Sequence, residues 1–147
     1  MKIFTSQLLL FAFFFSLFSF AIPTQERISI LRCPICGTEI KPTSKTVFMG
    51  ENDGEKVKFC SFACASKFHK RHLTSNLYVM DYLTGEFIPA NTASYLIKSS
   101  KVAALLKEEM PPYVIAVKDK SVAKDQLKQF DDGEYVDGYL NAKQSLE

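Results

Sequence analysis

Apolar and polar positions alternate on three different rhythms along this chain. Residues 8–21 are an apolar stretch of 14 without a charge. Residues 46–49 and 56–59 are short β-like runs, and the Asp53-Gly54 pair between them is a strong hairpin signal. From 61 to about 73 the spacing turns helical, with Phe62, Ala65, Phe68 and Leu73 on the apolar side. Beyond residue 77 the pattern predicts strands over 77–82, 86–90 and 94–97, with a turn at Thr84-Gly85. It then predicts a helix over 101–109, stopped by Pro111-Pro112, and an uninterrupted apolar strand over 113–117. Asp119 is placed to cap a helix over 121–130, Asp132-Gly133 to end it, and residues 135–136 to make a last short strand. The fold class expected is α+β: small ββα-type units, short antiparallel sheets and about three helices.

The apolar stretch changes the picture first. It follows Met1-Lys2 and ends Ser19-Phe20-Ala21, and seven of the 13 phenylalanines fall in the first 20 residues. A basic start, a short apolar run and a small-x-small end predict a secretory signal peptide over 1–21, cleaved before Ile22. An uncleaved membrane anchor is the alternative, although 14 residues is short for a span of about 20. The remainder divides into a flexible lead-in (22–32), a cysteine-rich knuckle-hairpin-helix part (33–74) and a second α+β part (75–147). The expected location is the periplasm or another exported compartment. The membrane is met only through the signal segment if that segment is retained.

Charge excludes one class. Formal net charge is +2, and no basic stripe interleaves with aromatics, so no nucleic-acid partner is expected. Nor does any catalytic constellation stand out: there is no phosphate loop, no His-Glu-x-x-His and no supported Ser/His/Asp order. Asp81, Glu86 and Asp119 are ordinary turn and cap residues, and the protein is expected not to be an enzyme.

The chemistry lies in four cysteines, set as Cys33-Pro34-Ile35-Cys36-Gly37 and Phe59-Cys60-Ser61-Phe62-Ala63-Cys64. A C-x2-C and a C-x3-C joined by a hairpin can bring four thiolates to one point, a donor set suited to Cu(I), Zn(II) or an iron–sulfur centre. The hairpin folds the 23 intervening residues back at small entropic cost. Cys60 and Cys64 fall near a predicted helix N-terminus, whose partial positive charge favours thiolates. Disulfides remain open as the other use of these thiols in an oxidising compartment. A thioredoxin-like role is less well supported, because no helical pattern opens after Cys36.

Met49, Met80 and Met110 are possible thioether donors. Met110 is the best placed, at a helix end before Pro111-Pro112 instead of mid-face. His69 and His72 stand five and eight residues past Cys64 on the same predicted helix. That spacing turns His69 away from the cysteine and carries His72 about 12 Å along the axis, so both are expected to be polar surface positions.

Several segments resemble the nitrous oxide reductase accessory protein family NosL. They are Cys33-Pro34-Ile35-Cys36-Gly37, Val79-Met80-Asp81-Tyr82-Leu83-Thr84-Gly85-Glu86-Phe87-Ile88-Pro89-Ala90, Ala93-Ser94-Tyr95, Met110-Pro111-Pro112-Tyr113-Val114-Ile115-Ala116-Val117, and Phe130-Asp131-Asp132-Gly133. The cysteine arrangement separately resembles the TRASH metal-binding domain. The NosL resemblance implies an exported Cu(I) chaperone that supplies a copper enzyme such as nitrous oxide reductase, with Cu(I) favoured over Zn(II). A structural Zn(II) module and a thiol–disulfide redox protein are the alternatives. The metal set expected is Cys33, Cys36, Cys60, Cys64 and Met110. The family's Met-Gly is Met110-Pro111 here, with the methionine retained, and the chain departs from the family in three further places. Thr38 follows Cys36-Gly37 where a methionine is common, the second cysteine pair fits TRASH better, and no cysteine near residue 21 offers a lipid attachment point.

Overall fold

A computed structural model describes residues 31–52, 54–72 and 76–147. The expected signal peptide, nearly all of the lead-in and Asp53 of the hairpin turn lie outside the described residues. The described residues form an α+β fold of two small antiparallel sheets and four helices.

The first sheet has the order β2-β1-β3-β4. Strand β1 (Phe48–Asn52) pairs with β2 (Glu55–Phe59), Phe48 opposite Phe59 and Asn52 opposite Glu55. Gly54 closes the turn at a φ of 82°, a left-handed value that glycine adopts without steric cost. Along β2, Val57 and Phe59 turn inward while Lys56 and Lys58 face solvent. Strand β3 (Asn76–Met80) pairs with the other edge of β1, and β4 (Phe87–Pro89) follows it. The expected division near residue 74 therefore falls just before β3, and the β1–β3 pairing crosses it.

Helix α1 (Phe62–Arg71) lies over this sheet. Its Phe68 stacks on Phe59 with ring centroids 4.7 Å apart. A Cβ at Gly50 would stand only 2.5 Å from the Phe68 ring, so glycine is what lets the helix approach β1. The last turn carries His69, Lys70 and Arg71, and the lysine and arginine cations suit the helix C-terminus.

The second sheet has the order β6-β5-β7, with β5 (Ser94–Ile97) between β6 (Ile115–Val117) and β7 (Glu134–Asp137). Every residue of β5 and β6 is buried because both faces of the sheet are covered. Leu96, Ile115 and Val117 face one cluster with Val102, Leu106, Ala123, Leu127 and Phe130. Val102 comes from α2 (Ser100–Leu105), Ala123 from α3 (Lys120–Gln126) and Phe130 from a 3-10 turn (Lys128–Phe130), while Leu106 and Leu127 are the residues that cap the two helices. Tyr95, Ile97 and Ala116 face the other way, into a cluster with Phe48, Phe62, Cys64, Tyr139 and Ala142. The two sheets thus share one apolar core.

The strand expected over 113–117 shortens to Ile115–Val117, two helices end early, and one helix is additional to the sequence expectation. Helix α2 stops at Leu105, four residues short, where the chain turns and Glu109 N–H donates to Leu106 C=O. The helix expected over 121–130 breaks after Gln126 into the 3-10 turn. A fourth helix, α4 (Tyr139–Leu146), was not expected. Its N-cap is Gly138 at a φ of 84°, with no side-chain cap bond, so the usual polar start signal is missing. Tyr139 anchors it, its ring meeting Phe62, Phe48 and Tyr95. Among the described residues, no helix is long and apolar enough to cross a membrane.

Candidate metal centre

Two local structures deliver the four cysteines. The first is a miniature hairpin. Cys33 N–H donates to Thr38 C=O, Gly37 N–H donates to Cys33 C=O, both at 2.8 Å, and Arg32 bridges Glu39. Gly37 closes it at a φ of 76°. The second is the β2–α1 junction. Cys60 follows the last residue of β2, and Ser61 caps α1, its Oγ accepting from Cys64 N–H at 3.4 Å. Cys64 is therefore the third residue of the helix and Cys60 the one before its cap.

The four sulfurs lie within 4.8 Å of one another. Cys36 and Cys60 Sγ are 3.4 Å apart, and Cys60 and Cys64 Sγ are 3.9 Å apart. A metal bonded to four sulfurs at about 2.3 Å sets sulfur–sulfur edges of about 3.8 Å, so the donor set fits such an ion with little rearrangement. The cluster is graded in exposure. Cys33 and Cys64 are buried, at 1% and 0%, while Cys60 is half-buried and Cys36 exposed.

The electrostatics divide the thiols. Cys36 pays a desolvation penalty, but the side chain and backbone of Thr38, then Cys60 and Cys33, hydrogen-bond its thiolate and bring its pKa down to about 6. Thr38 Oγ1 stands 3.3 Å from Cys36 Sγ. Cys60 moves up, through burial and because it is the donor toward Cys36. Cys64 is pushed up to about 11, first by burial, against the bond to Ser61 and with the neighbouring Cys36 and Cys33 adding to it. The expectation that the helix N-terminus would favour thiolates at Cys60 and Cys64 is therefore corrected. Burial and an adjacent thiolate outweigh the helix dipole. A bound cation would offset the burial that disfavours thiolates at Cys60 and Cys64.

A groove of about 620 Å³ reaches Cys60. Ile40, Tyr82, Leu106 and Met110 contribute to its walls. Met110 is half-buried and also packs against the shared core. Glu109 fixes the segment beside it, accepting from Thr46 Oγ1 and from Ser44 Oγ. The structure thus brings the four cysteines together and sets Met110 along the groove that reaches them. Met49 and Met80 are half-buried in β1 and β3. Neither histidine joins the cysteine group among the described residues. His72 stacks on Phe68 at 4.6 Å, and His69 meets the Tyr139 ring at 5.5 Å.

No known protein family and no curated protein matches the chain. A solved structure does: the copper chaperone NosL from Shewanella denitrificans, at a TM-score of 0.51 and 20% identity, covering 72% of this chain and 85% of that one. The fold is NosL-like. At that identity the likeness concerns architecture, and the cysteine group stands beside it as an independent observation.

The turn around residue 81 has a local physical explanation. Asp81 is buried, and its Oδ1 accepts from Leu83 N–H at 3.0 Å. Gly85 N–H donates to Asp81 C=O at 2.8 Å, with Gly85 at a φ of 77°. Tyr82 N–H donates to Ala116 C=O, joining this turn to β6 at the groove. Two residues beside the sulfurs, Thr38 and Ser61, were not singled out in the sequence. Ser61 had a readable signal, a cap residue before a helical run; Thr38 had none.

Proposed function

We propose that this protein is an exported Cu(I) carrier that holds the ion on Cys33, Cys36, Cys60 and Cys64 and passes it to a copper enzyme. One observation carries the reading: four thiol sulfurs within 4.8 Å, on two buried cysteines, one half-buried and one exposed. Clustered soft donors suit Cu(I), and a metal that must be handed on needs an accessible edge. The NosL-like fold supports the same reading, since the neighbour is named as a copper chaperone. The proposed compartment is the periplasm, reached through the segment 1–21. The proposed client is a periplasmic copper enzyme, with nitrous oxide reductase as the first to test.

The buried pair anchors the ion and the open pair yields to an incoming ligand. Met110, on the groove that reaches Cys60, acts as a weaker soft donor during transfer. No residue has a catalytic role in this reading; binding and release are the whole activity. Anaerobic titration of reduced protein with Cu(I) against a competing chelator tests it. Tight one-site retention is expected, lost in Cys33→Ala/Cys36→Ala. Protein that instead purifies with Zn(II), unfolds on chelation and does not retain Cu(I) establishes a structural zinc module.

A further inference from the structure

We propose that Cys36 and Cys60 are a reversible disulfide site, whose closure dismantles the open edge of the cysteine cluster. Cys36 Sγ is exposed, and Cys60 Sγ stands 3.4 Å away and lines the groove. The other two sulfurs are buried at 1% and 0%, out of reach of an external oxidant. Accessibility and proximity therefore select one pair.

Five other bridges compete; Cys33–Cys60 and Cys36–Cys64 each need a buried cysteine, at 1% and 0% exposure, and the remaining three are disfavoured for separate reasons. Cys33–Cys36 would close a very small loop within the knuckle, and so constrains the unfolded chain least. Cys60–Cys64 would tie the residue before the helix cap to a buried third residue, and its sulfurs stand further apart, at 3.9 Å. Cys33–Cys64 is enclosed in the core. A Cys36–Cys60 bridge instead joins the knuckle to the end of β2 across 23 intervening residues, a loop already folded back by the β1–β2 hairpin.

The oxidant is a small-molecule disulfide such as oxidised glutathione. The Cys36 thiolate attacks one of its sulfurs, forming a mixed disulfide and releasing one glutathione thiolate. Cys60, after giving its proton to that thiolate, attacks the Cys36 sulfur and expels the second glutathione. The second glutathione leaves as a thiolate and takes from water the proton that Cys36 released on ionising, so two protein thiols are oxidised and one glutathione disulfide becomes two glutathione thiols. Reduced glutathione runs the sequence backwards.

The bridge itself does not depend on the proposed function; only its effect on a bound ion rests on that reading. Metal-free full-length protein is equilibrated with oxidised and reduced glutathione, quenched, alkylated after unfolding and mapped by mass spectrometry. The Cys36–Cys60 peptide pair is expected to exceed every other pairing by about ten-fold or more, with Cys33 and Cys64 recovered alkylated. The Cys33→Ser/Cys64→Ser variant is expected to keep the bridge, and Cys36→Ser to lose it. A Cys33–Cys36 or Cys60–Cys64 bridge as the main product overturns the proposal, as does a fully reduced protein under a glutathione mixture that oxidises dithiothreitol. In a separate arm, oxidised protein is loaded anaerobically with Cu(I). Retention reduced about ten-fold or more relative to the reduced form is expected. Equal retention with the bridge present overturns the gating effect and leaves the bridge standing.

Discussion

The cysteine end of the molecule and the helix-flanked second sheet are built on opposite principles. Around β5–β7, the cluster under α2 and α3 is aliphatic and aromatic, and the charges stay outside where backbone N–H groups meet them. Asp132 shows the pattern. Its carboxylate accepts from Ser99 and Ser100 hydroxyls and from Ser100 and Lys101 N–H groups, closing the start of α2 from a remote turn. At the other end, Cys33 and Cys64 put ionisable thiols into the core beside Phe48, Phe59 and Phe62. The first region is complete as an apolar and hydrogen-bonded unit. In the proposed reading the second is completed by a cation that gathers the thiolates, which would assign stability and function to different halves of the sheet system.

The largest effect expected is on metal retention. Cys33→Ala/Cys36→Ala removes the knuckle's two donors and is expected to lower Cu(I) affinity by about 100-fold or more in chelator competition, with the fold intact by circular dichroism. A milder way to probe the same end is pH. Binding must displace protons from Cys60 and from Cys64, held at about 11, whereas Cys36 at about 6 is already ionised at neutral pH. Affinity is therefore expected to rise with pH, roughly ten-fold per unit for each proton displaced. The slope should steepen below pH 6, where Cys36 also takes a proton. A flat profile between pH 6 and 8 would mean that the thiols do not ligate as thiolates.

Packing comes next in size. Phe62 is nearly fully buried where α1 meets Phe48, Tyr95 and Tyr139, bridging both sheets. Phe62→Ala is expected to cost about 3–5 kcal/mol in denaturant unfolding. A much smaller loss would show that the two sheets do not share a core. The smallest effect is at the exposed cap of the second region. Hydrogen bonds from Ser100 and Ser99 hold the Asp132 carboxyl well below the usual carboxylate range, and Asp119 is lowered similarly by Ser121 and Val122. A depressed folded-state value stabilises the fold above the unfolded pKa near 4, and that contribution is lost as pH falls through the folded value. The melting temperature is expected to decline from pH 5 towards pH 3. Asp132→Asn is expected to lower it at pH 7 and flatten the decline.

The same contrast explains what was legible in the sequence. Convergence of the cysteines could be read because spacing and a turn dipeptide are local: a knuckle, a hairpin and a capped helix start put the sulfurs together with no long-range information. The strand at 94–97 was legible for the same reason, as an apolar run. The order of thiol acidities was not, because it depends on burial and on which sulfur meets Thr38, and both are set by packing. Helix α4 was missed because its start is a glycine and its anchor, Tyr139, is held by aromatic rings remote in the chain. The Asp132 cap spans more than 30 positions, beyond any local pattern.

X-ray absorption at the copper edge of anaerobically Cu(I)-loaded protein tests the central claim most directly, because it reports the atoms bonded to the ion. The account predicts a first shell of sulfur alone at about 2.3 Å, disrupted in Cys60→Ala and Cys64→Ala. A shell dominated by nitrogen or oxygen, or a spectrum unchanged by those substitutions, would contradict it.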